Sequence, residues 1–345
     1  MNLLVRCGRI KCGHLGSFAP IVWLFLFGFV PVTDAAEYDP MAVFSADPRS
    51  PVDVSIRDDR RDREIPIRVY LPKSVDSAPL ILFSHGLGGS RRGGRYLGNH
   101  WSARGYVVVA LQHIGSDESV WKGVPAGQRF SAMKSAASLQ NNAARLRDVP
   151  VVLDQLTDWN QTRSHRFYHC FDVSKVGVSG HSFGAVTAQG VGGQTPPLIG
   201  NRFVDSRIGA AVMLSPSFRG RSDPSRTFGN VQIPWLLITG TKDTSPIGDT
   251  DVENRRKVYA SLPDTIDKYE LVLHEAEHFA FADEQQQWRE QQRDPNHHQS
   301  ILAVTTAFWD SHLRCDANAR RWLHGRGMRT VLQPRDQWQM QLAKP

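Results

Sequence analysis

The stretch Gly180-His-Ser-Phe-Gly184 decides how this chain is expected to fold. It follows a β-like run over 173–179 and precedes a helix-compatible run over 185–190. A strand, a sharp turn and a helix, with serine at the turn, form the context in which G-x-S-x-G makes a nucleophile elbow. The glycines relieve crowding at that strained turn. The pattern therefore predicts that Ser182 is a nucleophile, and its weak hydroxyl then requires a histidine base and an orienting carboxylate.

Apolar runs and helix-length segments alternate along the rest of the chain. The runs 79–84 and 105–111 are continuously apolar, as expected for strands of a parallel sheet that helices cover on both faces. The segments 52–56 and 65–71 alternate apolar with polar residues, which is typical of antiparallel edge strands. An α/β fold is predicted, with a mostly parallel central sheet, helices on both faces and antiparallel N-terminal edge strands. Further strands are expected over 208–214, 234–239 and 268–273, and helices over 95–104, 141–159 and 301–313.

Length and composition are those of a globular protein with a full-sized core. The chain has 345 residues, of which 41% are hydrophobic and 22% charged, enough for one large α/β domain or two smaller ones. The formal net charge of +7 comes from scattered basic residues, so a nucleic-acid partner is not predicted. We expect a single domain over 37–345, with a lid-like insertion at about 115–139 and an extension at about 316–345.

The first 36 residues differ from the rest of the sequence. Basic residues between positions 6 and 11 precede an almost wholly apolar run over 19–32, and two alanines follow at 35–36. This order predicts a secretory signal peptide and therefore a secreted or periplasmic protein. The alternative is an uncleaved membrane anchor, although the apolar run is short for a span and contains two prolines. No stable membrane span is expected after cleavage.

Two later strands end close to the residues that Ser182 requires. Asp243 follows the predicted strand 234–239, and His278 follows the predicted strand 268–273. The order serine, acid, histidine is the one that accompanies a nucleophile elbow. Asp243 is expected to accept the Nδ1 hydrogen of His278, which takes the serine proton through Nε2. The alternatives are Asp249 or Asp251 as the acid, and His274, His297 or His298 as the base.

Two backbone amides are expected to bind the oxygen anion that develops on an attacked carbonyl group. One is the amide of Phe183, directly after the nucleophile, and the other is that of Leu87 in the glycine-rich loop 84–90. A phosphate cradle is the competing interpretation of these glycines, but neither Walker spacing nor G-x-G-x-x-G is present. The candidates for substrate contacts are His85, His181 and Trp121.

A second motif overlaps the predicted base. The run His274-Glu-Ala-Glu-His278 matches H-E-x-x-H, in which two histidines on one helical face bind zinc. A strand-like run over 269–273 precedes it, so the first histidine would lie outside a helix. A zinc peptidase with Glu284 or Glu290 as third ligand remains an alternative. The serine interpretation accounts for three motifs in order, and it predicts neither a metal nor another cofactor.

Two of the four cysteines lie outside the presumed leader. Cys170 precedes the serine strand, and Cys315 follows the last predicted helix. In an exported protein they could form a disulfide. The sequence does not show whether their geometry permits the bond, so this pairing stays open.

With these residues placed, the chain resembles the α/β-hydrolases. It is most similar to the bacterial predicted dienelactone-hydrolase group and to the platelet-activating-factor acetylhydrolases. The resemblance lies in Phe83-Ser-His-Gly-Leu-Gly88, in Gly105-Tyr-Val-Val-Val-Ala110 and in the serine motif, and it covers roughly 65–313. It implies hydrolysis of carboxylic esters without a metal or an organic cofactor.

Two departures from these families limit what the resemblance implies. Dienelactone hydrolases use a cysteine nucleophile, whereas this chain has Ser182. The acetylhydrolases place their acid after the strand that follows the serine helix, but the run 214–217 contains no carboxylate. Asp243 therefore remains the better candidate, and phospholipid specificity does not carry over. The prediction is an exported serine hydrolase acting on a small-molecule or lipid ester; a non-catalytic binding protein or a peptidase of the same fold are alternatives.

Overall fold

The structure of the protein is a computed structural model, in which Tyr38–Pro345 form one compact unit. The predicted signal peptide, residues 1–36, lies outside the described residues. So do Asp249, Glu284 and Glu290, which were alternative candidates for the acid or for metal ligands. The described residues are 38–44, 49–74, 76–218, 223–245, 247–248, 250–283 and 294–344.

A nine-stranded sheet forms the centre of the molecule. Its strands are β1 (Val52–Asp58), β2 (Arg63–Tyr70), β3 (Ala78–Ser84), β4 (Val107–Leu111), β5 (Phe171–His181), β6 (Ile208–Leu214), β7 (Trp235–Lys242), β8 (Lys268–Glu277) and β9 (Gln337–Gln341). Their order across the sheet is β1-β2-β4-β3-β5-β6-β7-β8-β9. The strands from β4 to β8 pair in parallel, whereas β1 and β2 at one edge and β9 at the other are antiparallel. The predicted α/β architecture and N-terminal edge strands are confirmed.

Helices cover both faces of this sheet. They are α1 (Arg95–Ala103), α2 (Ala126–Ala136), α3 (Leu139–Gln161), α4 (Phe183–Val191), α5 (Ser225–Phe228), α6 (Val252–Ala260), α7 (Pro295–Leu313) and α8 (Ala317–His324). On one face Val152 and Leu156 of α3 are fully buried in a large apolar cluster. On the other face Trp101 of α1 and Trp309 of α7 meet edge to face, with ring centres 5.8 Å apart. Burying each large apolar side chain contributes roughly 1.5–3 kcal/mol, so both layers hold the sheet in place.

The segment predicted as a lid-like insertion, 115–139, has regular structure. It forms a short 3-10 turn over Glu118–Val120, followed by α2. Trp121 and Met133 lie against Gly88, so the segment packs on the glycine-rich loop. Phe130 is 54% exposed on the outer side of α2. A role as a lid remains a prediction.

The extension predicted over 316–345 contributes α8 and β9 to the domain. Trp322 of α8 is buried in the same cluster as Trp309. Trp338 of β9 stacks on Tyr269 of β8, with ring centres 5.9 Å apart. The extension therefore completes one face and one edge of the sheet, and sequence analysis gave it no role.

Cys170 and Cys315, whose pairing the sequence leaves open, do not form a disulfide with each other. Cys170 is buried just before β5, and its thiol points to the carbonyl oxygen of Tyr168 at 3.7 Å. Cys315 is exposed between α7 and α8. Among the described residues, no helix combines the length and the apolar character that a membrane span requires.

Candidate active site

Ser182 lies at the sharp turn between β5 and α4. Its backbone has φ 55° and ψ −115°, a conformation that costs a residue with a Cβ about 1–3 kcal/mol. A Cβ at Gly184 would overlap the carbonyl oxygen of Ser84, and a Cβ at Gly180 would overlap that of Gly184. Both glycines are therefore required for β5, the turn and α4 to approach β3 this closely. The strained turn holds the serine hydroxyl out from the sheet.

The structure brings Ser182, His278 and Asp243 into one hydrogen-bonded chain. The Nε2 atom of His278 lies 2.9 Å from Oγ of Ser182, and its Nδ1 lies 2.7 Å from Oδ1 of Asp243. Thr239 donates its hydroxyl hydrogen to the other carboxylate oxygen, Oδ2, at 2.8 Å. A neutral imidazole with its hydrogen on Nδ1 satisfies both contacts, because it donates to the carboxylate and accepts from the serine hydroxyl. This is the arrangement expected for a nucleophile, a base and an orienting acid.

A buried arginine of α6 holds the carboxylate of Asp243. Nε of Arg255 donates to the Asp243 carbonyl oxygen at 2.8 Å and lies 3.0 Å from Oδ1 of the same residue. Its Nη1 donates to the carbonyl oxygens of Ser215 and Pro216 at 3.0 Å. Burial alone would raise the pKa of Asp243, but the hydrogen bond and electrostatic interaction with His278, together with the charge of Arg255, lower that pKa. Asp243 is therefore ionised and fixed in orientation.

The rival acid and bases that lie within the described residues have partners elsewhere. Asp251 caps the N-terminus of α6, where its carboxylate accepts a hydrogen bond from the amide of Asn254 at 2.7 Å. The Nε2 atoms of His297 and His298 donate to backbone carbonyl oxygens. His274 points toward Glu275, with Nε2 and Oε1 3.7 Å apart.

The zinc interpretation of the run 274–278 is not supported by the backbone. Strand β8 continues through Glu277, and His278 opens a 3-10 turn over His278–Phe281. His274 and His278 therefore do not share one face of a helix, as H-E-x-x-H requires. The described parts of the chain contain no group of three or more His, Cys, Asp or Glu side chains able to hold a metal ion.

The glycine-rich loop after β3 lies beside Ser182. A Cβ at Gly86 would lie 3.7 Å from Cβ of Ser182, and the amide of Gly88 donates to the carbonyl oxygen of Ser116 at 2.9 Å. Leu87 stands between these two anchored positions. Phe183 is the first residue of α4, where an amide has no acceptor within its helix. The amides of Leu87 and Phe183 thus remain the expected oxyanion donors.

The structure does not support the predicted substrate contact of His85. The ring is only 2% exposed, Nδ1 donates to the carbonyl oxygen of Gly86 at 2.6 Å, and Nε2 accepts from the amide of His113 at 3.1 Å. Burial, followed by the charge of Arg145, holds the pKa of His85 well below its usual range. His85 is a neutral part of the loop framework, because both ring nitrogens bind the protein itself.

His181 and Trp121 support the backbone around the site. His181 is buried, and its Nε2 donates to the carbonyl oxygen of His278 at 3.0 Å. Burial, with a smaller effect of His278, lowers the pKa of His181 to about 3, so its ring is neutral. Nε1 of the half-buried Trp121 donates to the carbonyl oxygen of Gly88 at 2.7 Å. The two residues brace the base and the glycine-rich loop, and a contact with substrate remains a prediction for both.

Sequence analysis missed a second buried arginine, Arg145 of α3. Its Nη1 donates to the carbonyl oxygen of His85 at 2.7 Å, and its Nε donates to Oγ of Ser116 at 2.8 Å. Its guanidinium carbon lies 4.4 Å from the centre of the Phe183 ring. A single arginine in a helical segment has no motif that would have indicated these contacts.

Next to Arg145 on α3, Asp148 forms a buried ionic cluster with three residues. Its carboxylate lies 2.9 Å from Nδ1 of His113, 2.8 Å from Nε of Arg63 and 2.9 Å from Nη2 of Arg61. Burial would raise the pKa of Asp148, but these partners, His113 first, lower that pKa to about 2. Burial lowers the pKa of His113 to about 4. At neutral pH the cluster therefore contains an ionised Asp148 and a neutral His113.

The sheet order and the nucleophile elbow are those of the α/β-hydrolase fold. Residues 68–124, which include the glycine-rich loop, match the family described as platelet-activating factor acetylhydrolase, isoform II.

Two curated proteins give the comparison more detail. The chain is 26% identical over 214 residues to Cutinase est1 of Thermobifida alba, a match that covers 61% of this chain and 57% of the relative. It is also 26% identical over 213 residues to Cutinase est2 of the same organism, covering 61% of this chain and 56% of that relative. The matched region thus spans less than two thirds of either cutinase.

Proposed function

We propose that this protein is a serine hydrolase that cleaves carboxylic esters. The observation that carries the proposal is the hydrogen-bonded chain from Ser182 through His278 to Asp243. The similarity to a platelet-activating factor acetylhydrolase family and to two cutinases supports hydrolysis as the reaction class. The same geometry also suits amide cleavage, so the ester preference rests on these relatives.

Acylation begins at the serine hydroxyl. Oγ of Ser182 bonds to the carbonyl carbon while its proton moves to Nε2 of His278. The carbonyl π electrons move to oxygen, and the amides of Leu87 and Phe183 donate hydrogen bonds to that anion. When the tetrahedral intermediate collapses, the bond to the alcohol oxygen breaks and His278 gives its proton to the departing oxygen. An acyl group then remains on Ser182.

Deacylation repeats these steps with water as the nucleophile. His278 takes a proton from water as its oxygen bonds to the acyl carbon, and the second oxyanion occupies the same two amides. The bond to Oγ breaks, the proton returns to Ser182, and the carboxylic acid departs. Asp243 stays ionised throughout, orienting the imidazole and stabilising its protonated form.

The proposal is tested with Ser182→Ala on p-nitrophenyl esters of increasing acyl length and on matching p-nitroanilides. We expect kcat on the esters to fall by about 10³-fold or more, because no hydroxyl remains to be acylated. Wild type should also react with a fluorophosphonate probe at Ser182, and EDTA should leave its activity unchanged. Ser179→Ala is the matched control, since it removes another buried hydroxyl from β5. Unchanged ester hydrolysis by Ser182→Ala would overturn the proposal.

We also propose that the protein is exported. The support is the basic and then apolar order of residues 1–36. The full chain is expressed in a bacterial host, and the enzyme in the periplasm or medium is analysed by N-terminal sequencing. A new N-terminus close to Ala36 is expected. An intact N-terminus on protein that stays in the cytoplasm would contradict this proposal without affecting the proposed chemistry.

A further inference from the structure

Arg145 is a buried cation whose hydrogen-bond acceptors are neutral. Its side chain is 0% exposed, and it donates to the carbonyl oxygen of His85 and to the hydroxyl of Ser116. Burial lowers the pKa of Arg145 to about 9, so the side chain is still charged at neutral pH. The carboxylates of Asp148 and Asp117 act on this charge from a distance. Asp148 is itself in contact with other cations.

On one side, Arg145 fixes the backbone that leads to Leu87. Nη1 binds the carbonyl oxygen of His85 at 2.7 Å, and Nη2 lies 3.4 Å from the carbonyl oxygen of Gly86. The ring of His85 is fixed in turn by the amide of His113. The guanidinium group therefore contacts the carbonyl oxygens of His85 and Gly86, the two residues that precede the Leu87 amide.

On its other side, the same group contacts the residue that carries the second amide. The guanidinium carbon lies 4.4 Å from the ring centre of Phe183, within the range of a cation–π contact. A planar guanidinium donates hydrogen bonds within its plane while its face stacks on an aromatic ring, which an ammonium group cannot do. Arg145 thus touches both the loop of Leu87 and the side chain of Phe183.

We propose that Arg145 is a positioning residue for the oxyanion hole. It sets the separation of the Leu87 and Phe183 amides and places a positive charge behind them. This inference rests on the proposed function. The oxyanion is fully formed only in the tetrahedral state, so the contribution of Arg145 falls on kcat and leaves KM nearly unchanged.

The test compares Arg145→Lys and Arg145→Met with wild type on one p-nitrophenyl ester. We expect kcat to fall about 10-fold for the lysine variant, which keeps the charge, and about 100-fold for the methionine variant. KM should stay within about 3-fold of wild type in both. A trifluoromethyl ketone that forms a tetrahedral oxyanion on Ser182 should lose affinity in parallel with kcat. A non-reactive ether analogue of the substrate should bind as before.

Two further variants separate positioning from stability. Arg104→Met removes a comparably buried arginine, which binds Asp310 at 2.9 Å on the other face of the sheet. It should lower the thermal unfolding midpoint without changing kcat of the folded enzyme. Phe183→Leu keeps the amide but removes the stacked ring, and should give part of the Arg145→Met loss in kcat.

A folded Arg145→Met enzyme with wild-type kcat and wild-type affinity for the ketone would overturn the inference. If this variant does not fold, unchanged values in Arg145→Lys overturn it in the same way. Failure of the proposed function looks different, because Ser182→Ala would then hydrolyse esters as wild type does. Loss of activity in Ser182→Ala together with unchanged Arg145 variants would reject this inference alone.

Discussion

Arg255 and His278 approach the same carboxylate oxygen of Asp243. Oδ1 accepts the Nδ1 hydrogen of His278 at 2.7 Å, and it lies 3.0 Å from Nε of Arg255. The carboxylate therefore lies between the base that it orients and a cation fixed by α6. All three side chains are largely buried, so the electrostatic interactions between them are strong. A substitution at one of them is therefore expected to change the protonation behaviour of the others.

Replacing Arg255 with methionine should make the fold less stable at acidic pH. The charge of Arg255 is one of the causes that lower the pKa of Asp243, so its loss raises that pKa. A carboxyl group with a lowered pKa stabilises the fold above its unfolded pKa of about 3.9 and loses this contribution as pH falls through the folded value. We therefore expect the acid unfolding midpoint of Arg255→Met to move to higher pH, as followed by circular dichroism. An unmoved midpoint would show that this charge does not matter to Asp243.

Asp243→Asn should leave the fold nearly intact and remove most of the activity. An asparagine amide in this position no longer selects the tautomer that carries hydrogen on Nδ1, and it does not stabilise a protonated His278. We expect kcat to fall by about 10³–10⁴-fold. The control is Asp251→Asn, which changes a carboxylate that caps α6. Similar kcat values in the two variants would reject Asp243 as the orienting acid.

Asp148→Asn should destabilise the protein by about 3–5 kcal/mol, because it removes a fully buried negative charge that the partly buried Arg61 and Arg63 both contact. The free energy of unfolding is measured by urea titration at pH 7. The control is Asp154→Asn, since Asp154 is exposed and pairs with Arg207 at the surface. That variant should lose less than about 1 kcal/mol. Equal losses in the two variants would contradict a structural role for the buried cluster.

The same cluster predicts how stability falls with acid. The pKa of His113 is lowered to about 4, so its neutral form stabilises the fold above about pH 6.5 and this contribution is lost as pH falls to 4. The pKa of Asp148 is lowered to about 2, so its contribution is lost between about pH 4 and pH 2. The urea midpoint of wild type should therefore fall in both pH ranges. In Asp148→Asn, the fall between about pH 4 and pH 2 should be absent.

Gly184→Ala should abolish activity. An alanine Cβ would overlap the carbonyl oxygen of Ser84, so β3 and the elbow would have to separate. We expect a cost of about 3 kcal/mol or more and a loss of fluorophosphonate labelling at Ser182. Gly127→Ala is the control, because nothing lies within 4 Å of a Cβ at that position of α2. That variant should be as active as wild type and as stable or slightly more so.

The core strands could be predicted because helices bury both of their faces, which leaves continuous apolar runs in the sequence. Strand β9 could not, since Gln337-Trp-Gln-Met-Gln341 is mostly polar and, within the described parts of the chain, pairs with a strand on one side only. Helix α2 escaped prediction for a related reason, because only Ala136 in it is buried. A segment that contributes little to the core carries little periodic signal.

In the candidate site, too, some residues could be predicted from the sequence and others could not. Ser182, Asp243 and His278 could be placed because each follows a strand and the chemistry requires their order. Arg145 and Arg255 could not, since they bind acceptors far away in the chain: the carbonyl oxygen of His85 is 60 residues from Arg145, and that of Ser215 is 40 residues from Arg255. His85 is a candidate for substrate contact in the sequence because its position in a glycine-rich loop is visible there, whereas the direction of its ring is not.

Strand β9 covers an edge of the sheet that could otherwise pair with another copy of the protein. It pairs with β8 from Gln341 opposite Lys268 to Gln337 opposite Val272. Without these five residues, the outer amides and carbonyls of β8 would be open to an edge strand of another copy. In its place, the five-residue strand β9 presents only a short outer edge, which limits further pairing. A protease cut between α8 and β9 would thus favour aggregation, even with every residue around Ser182 left in place.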